Sequence, residues 1–282
     1  MTPSAKRPPI SSLLLLFLLS TAAILLGAAA AFLHHRASAA SRSPSLAPRR
    51  DARAASLSAW GRTLGCPSLR DGVNLASPAA AAASAATAHR VRALERRADL
   101  GRWMQDLKFG GAGVELGVQA GAFAEILLDT WPNCSMLHLV DPWKQQSAYV
   151  DVANVDDRAQ ERLMAETGTR LARFKGRFRM VRALSYEAVE GFEDGSLDFV
   201  YVDAVHDYEG CLRDLCDWWP KLRAGGVLAG HDFLDGALPE GLFGVRSAVD
   251  RFATAVNRQV FVTQGWPEVD SREEWASFFM AK

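Results

Sequence analysis

After Gly111 the chain alternates between short apolar runs and longer stretches with helical spacing. The apolar runs predict strands at Val114 to Val118, Met136 to Val140, Phe178 to Ala183, Leu197 to Val202 and Gly226 to Ala229. Between them the spacing predicts helices at Phe123 to Thr130, Asp157 to Phe174, Tyr186 to Gly191 and Tyr208 to Leu222. Strands separated by helices require right-handed crossovers, so the expected architecture is a doubly wound α/β sheet of parallel strands covered on both faces. The stripes Tyr208, Leu212, Leu215, Trp219 and Val245, Ala248, Phe252, Val256 read as core-facing helix surfaces. Two last apolar runs, Gln259 to Thr263 and Trp275 to Met280, suit a strand pair closing the sheet. In such sheets ligands bind beyond the carboxyl ends of the strands, so polar residues ending a strand are candidate site residues.

The first third of the chain follows a different pattern. Leu13 to Leu33 holds 21 residues without a charge, the length a helix needs to cross a bilayer. Residues 1–36 are expected to be a single-pass signal anchor of the endomembrane or Golgi type. A cleaved secretory signal and an organellar transit peptide are the alternatives. Cations flank the run on both sides, which leaves its orientation open. Residues 37–76, rich in Ser, Ala, Arg and Pro, read as an exposed linker. Ser77-Pro78 offers a helix start, and the spacing predicts a helical cover over 77–110, running through Val91, Leu94, Leu100, Met104 and Leu107 to Gly110-Gly111. Residues 111–282 form the main domain.

Charge narrows the partners. The 282 residues are formally neutral, but six cations and no acid fall in the first 50, so 26 cations meet 32 acids in the remainder. A mildly acidic domain lacks the basic face that nucleic acid requires. Cys66, Cys134, Cys211 and Cys216 are too few and too irregular for a zinc site or a disulfide framework, and read as small buried side chains.

Four segments carry candidate chemistry. In Val114 to Gly121 (VELGVQAG) a strand enters a Gly-punctuated turn that lets backbone approach a ligand. Glu115 is out of place in an apolar strand, and the G-x-G-x-x-G dinucleotide fingerprint is not met. In Leu137 to Trp143 a strand ends in Asp141, 24 residues after Gly117, where an acid can accept both ribose hydroxyls. Leu197 to Glu209 (LDFVYVDAVHDYE) ends its strand in Asp203 and His206, and Gly225 to Phe233 (GGVLAGHDF) ends in His231 and Asp232. Asp203 and Asp232 would suit Mg²⁺, with His206 or His231 as a further ligand or a general base.

These four segments resemble class I S-adenosylmethionine-dependent methyltransferases, specifically the family of macrocin O-methyltransferase and the cephalosporin hydroxylase-like proteins. The resemblance covers about Leu100 to Lys282 and implies a seven-stranded Rossmann-like sheet. It implies that Glu115 and the turn from Gly117 to Gly121 contact the amino-acid end of S-adenosyl-L-methionine, Asp141 the ribose and Ser185 the adenine side, with Asp203 also at the cofactor. It further implies metal binding by Asp203 and Asp232, with Asp203, His206 and His231 as catalytic groups. His231 departs from the family pattern, because another carboxylate often stands there. The expected activity is O-methylation of a small-molecule or sugar hydroxyl, with loops at Gly236 to Gly244 and 144–156 as lids. The alternatives are a membrane-tethered cofactor-binding or interaction protein without catalysis and an NAD(P)-dependent oxidoreductase.

Overall fold

The computed structural model describes residues 94–147, 149–263 and 275–282, all within the unit spanning 61–282. The expected anchor, the linker and most of the expected 77–110 helix lie outside the described residues. Among the described residues no helix is long and apolar enough to cross a membrane.

Seven strands form one sheet in the order β3-β2-β1-β4-β5-β9-β8. They are β1 (Ala112–Leu116), β2 (Met136–Asp141), β3 (Phe178–Arg182), β4 (Leu197–Val202), β5 (Leu222–Gly230), β8 (Phe261–Val262) and β9 (Phe278–Ala281). The first five pair in parallel, and β9 runs antiparallel between β5 and β8. The helices are α1 (Leu100–Asp106), α2 (Ala122–Thr130), α3 (Asp157–Arg170), α4 (Ser185–Ala188), α5 (Tyr208–Trp218) and α6 (Val245–Val256). A separate hairpin joins β6 (Asp235–Leu238) to β7 (Gly241–Gly244).

The central strand β4 shows why the sheet is covered twice. Side chains alternate across a strand, and every residue of β4 is buried. Val200 and Val202 pack with Leu215 and Trp218 of α5 and Phe252 of α6. Phe199 and Tyr201 join Leu100 and Met104 of α1 and Phe123 and Leu127 of α2 on the other side. Each face therefore buries its own apolar cluster, as a parallel sheet requires.

Three expectations need correction. Among the described residues, the helix expected to run through Leu94 is interrupted: residues 94–96 are not helical, and α1 is entered through a 3-10 turn at Arg97–Asp99. The helix expected to reach Leu222 ends at Trp218, and Leu222 already begins β5. Pro220 lacks the N–H that another helical turn would need. Cys134 and Cys211 are free and buried as expected, whereas Cys216 is disulfide-bonded.

Candidate functional site

A cavity of about 430 Å³ opens where β1, β2, β4 and β5 end. Glu115, Gly117, Asp141, Ser185, Asp203, His206, His231 and Asp232 all line it. Gly121 is not among the lining residues. It starts α2 at φ 74°, and a Cβ there would press on Thr167 of α3, so it serves the helix contact. Gly117 has a different task. At φ 79°, a Cβ would overlap the carbonyl oxygen of Asp203, so only glycine lets the β1 turn and the end of β4 meet.

One half of the cavity is built from backbone and two buried acids. Glu115 is 2% exposed, and its Oε2 has no hydrogen-bond partner. Burial, and then the neighbouring Asp203, raise its carboxyl well above the usual range. Asp141 accepts from the N–H groups of Val118 (2.8 Å), Gln119 (3.1 Å) and Trp143 (2.6 Å). Burial still raises its carboxyl, against the pull of those three bonds. A carboxylate offers about four lone-pair positions. The three backbone donors already take three of these positions on Asp141. Ser185 donates to the buried Asp214 at 2.5 Å, which orients its lone pairs.

The other half is charged. His206 Nε2 lies 3.0 Å from Asp232 Oδ2 and 3.6 Å from Asp203 Oδ1 and is buried without a well-formed hydrogen bond. One ligand atom from each of Asp203, His206 and Asp232 lies within 4.8 Å of the others, a spacing that could hold a metal ion. The unpartnered imidazole nitrogen between two carboxylates fits a hard divalent cation completed by water and substrate oxygens. His231 Nδ1 sits 2.7 Å from Asp232 Oδ1, and its Nε2 is buried without a partner. Burial disfavours charge at His206, but the bond to Asp151 and the nearby Asp203 and Asp232 carboxylates push its pKa up to about 10. Burial likewise opposes charge at Asp203, yet the nearby His206, His231 and Arg97 hold that carboxyl below its usual range.

Two site residues had escaped the sequence analysis. Asp151, in the loop after β2, accepts from Ala153 N–H and sits 2.9 Å from His206 Nδ1. Its segment forms an isolated bridge with Gly241 of β7, and Val152 donates to Glu240. The two expected lids are thus stitched together: the loop brings Asp151, and β7 brings Phe243, whose ring stacks on His206 at 5.1 Å. Arg97, from the turn before α1, also lines the cavity, with Nη1 3.5 Å from Asp203 Oδ2. Only an exception to local pattern could have revealed either: an acid in a polar loop carries no periodicity.

Residues 114–233 match the family model of a methyltransferase domain. A comparison with curated proteins finds no match. Among solved structures, the chain is similar to a cofactor-bound protein from MTB at 17% identity and TM-score 0.46, covering 76% of this chain and 92% of that one. It is similar to a Corynebacterium glutamicum protein at 14% identity and TM-score 0.46, over 74% and 92% of the two chains. A third is a SAM-dependent O-methyltransferase from Thermotoga maritima, with 15% identity, TM-score 0.45 and coverage of 66% and 64%.

Proposed function

We infer that this chain, whose residues 114–233 match the methyltransferase-domain model, is an S-adenosylmethionine-dependent O-methyltransferase assisted by a divalent cation. The observation that carries this reading is the junction in one cavity of a nucleoside half, Glu115, Asp141 and Ser185, with the charged cluster Asp203, His206 and Asp232. The first half suits a ligand with an ammonium at one end and ribose hydroxyls in the middle. The second suits the activation of a hydroxyl, the acceptor of a small molecule or sugar.

When bound, the methyl donor supplies an electrophilic carbon on a sulfonium. A divalent ion held by Asp203, His206 and Asp232 would lower the pKa of an acceptor hydroxyl beside it. The protein's own work is alignment and proton removal. Asp141 fixes the ribose while holding the Gln119 and Trp143 peptides in place. Asp151 and the Phe243 ring fix the plane of His206, the orienting role an outer carboxylate plays for a metal-binding imidazole. With His206 engaged by the ion, His231 is the base that remains: Asp232 holds its Nδ1, which leaves Nε2 to take the proton. We further propose that the apolar run Leu13 to Leu33 tethers this domain to a membrane.

The test is calorimetric titration of the detergent-solubilised full chain with S-adenosylhomocysteine and with NADH, with Mn²⁺ binding followed by electron paramagnetic resonance. S-adenosylhomocysteine binds and NADH does not, and Asp203→Asn weakens Mn²⁺ binding at least tenfold. A folded chain that binds neither nucleotide has no donor site. Unchanged Mn²⁺ binding in the variant would remove the metal from the mechanism.

A further inference from the structure

The amino-acid end of the proposed donor carries an ammonium and a carboxylate on one carbon, so a site that takes it needs opposite charges close together. Glu115, with its unpartnered buried oxygen, answers the ammonium. Around it the cavity is acidic: Asp203 and Asp141 both push the Glu115 carboxyl upward. Apart from imidazoles, the lining cations among the described residues are Arg97 and Lys144. Lys144 is exposed and lies three residues beyond Asp141, on the ribose side. Arg97 is on the Glu115 side. Its charge pulls the Glu115 carboxyl downward, its Nη1 lies 3.5 Å from Asp203, and its guanidinium covers the Phe123 ring at 5.2 Å.

We propose that Arg97 binds the carboxylate of the methyl donor and makes the site selective for a donor that still carries it. This rests on the donor reading above and extends it to a residue outside the matched 114–233. A guanidinium has five N–H donors in a planar fork. That fork carries more N–H groups than its contacts with Asp203 and the Tyr201 hydroxyl take up. The aromatic face of Phe123 fixes the fork's plane, and the side chain is only 19% exposed, so little ordering remains to be done on binding. A role confined to neutralising Asp203 would duplicate what His206 and His231 already do at 3.6 and 4.0 Å.

The test compares two ligands that differ only in that carboxylate, S-adenosylhomocysteine and its decarboxylated analogue S-adenosyl-3-thiopropylamine, on the full chain. A charge-assisted pair removed from a partly buried site corresponds to about a 10- to 100-fold change in affinity. The wild-type chain binds S-adenosylhomocysteine at least tenfold more tightly than the amine. Arg97→Gln weakens the first by that factor and leaves the second within about threefold, while Arg97→Lys recovers part of the loss. Equal loss of both ligands in Arg97→Gln assigns Arg97 to the fold and overturns the proposal, as does equal retention of both. If the wild type binds the amine and S-adenosylhomocysteine alike, the donor site stands and the carboxylate anchor falls. If it binds neither, the donor reading falls first and takes the anchor with it.

Discussion

Asp214 offers a test of the Ser185 side of the cavity through stability rather than turnover. It lies on α5, 2% exposed, with Oδ1 accepting from Ser185 and Oδ2 unpartnered. Burial pushes its pKa from 3.8 to about 7, against the pull of the Ser185 bond, and Asp217 adds to the rise. Between about pH 4 and 7 the folded chain holds a proton that the unfolded chain has released. Stability from this group is therefore full below pH 4 and is lost as pH rises through 7. Three units at ~1.36 kcal/mol each give about 4 kcal/mol in total, of which about 2–3 kcal/mol falls between pH 5 and pH 8. Asp214→Asn mimics the neutral acid and does not titrate. In guanidinium unfolding of the chelator-treated chain, followed by tryptophan fluorescence, the variant should gain on the wild type by about 2–3 kcal/mol from pH 5 to pH 8. Groups unchanged by the substitution cancel in this difference. A difference that stays constant with pH, or shrinks, refutes a neutral Asp214 and with it the picture of Ser185 held by a carboxyl that titrates near neutrality.

Asp151→Asn should weaken Mn²⁺ binding about 10- to 100-fold with the fold intact, measured by paramagnetic resonance and circular dichroism, because the His206 ring loses its orienting carboxylate. Gly117→Ala should cost roughly 1–3 kcal/mol in denaturant unfolding and abolish S-adenosylhomocysteine binding, since both its φ of 79° and the Asp203 carbonyl resist a Cβ. Lys282→Met should destabilise by about 1–3 kcal/mol in the same assay, because Nζ donates to the carbonyls of Trp219, Pro220 and Leu222 beyond α5 and its loss strands them.

The order of elements was legible because burial is written in periodicity. Leu197–Val202 matches β4 in full, since a strand buried on both faces must be apolar throughout. The acids ending strands were legible for the converse reason: Glu115, Asp141, Asp203 and Asp232 break an apolar pattern at the carboxyl edge. Arg97 and Asp151 break no pattern. Arg97 owes its place to α1 packing against α2, which brings residue 97 beside residue 203, and Asp151 owes its place to one bridge with Gly241, 90 residues away. The bonded state of Cys216 was equally silent, because cysteine spacing says nothing about which residues meet.

Backbone strain adds a last constraint on how the site works. Five non-glycine residues among those described have positive φ. Lys108 comes just after the Leu107 cap of α1 and Asn257 caps α6, where left-handed residues are ordinary. Gln119 (φ 49°), Trp143 (φ 39°) and Asp232 (φ 53°) follow β1, β2 and β5; Gln119 and Asp232 line the cavity, and Trp143 stands between the lining residues Pro142 and Lys144. Such conformations persist only where surroundings over-determine them. At Gln119 they do: its N–H binds Asp141, and its carbonyl accepts from Trp143 Nε1 and Thr167 Oγ1. The Trp143 N–H binds Asp141 as well. One carboxylate thus holds both strained peptides while keeping a single lone-pair position for the ligand. Asp141 therefore shapes the floor of the cavity before any ligand arrives, and the ribose contact proposed for it would use the same carboxylate. Replacing it with Ala removes floor and contact together. Asp141→Asn keeps one acceptor oxygen for the backbone, so it is the substitution that separates lost shape from a lost ribose bond.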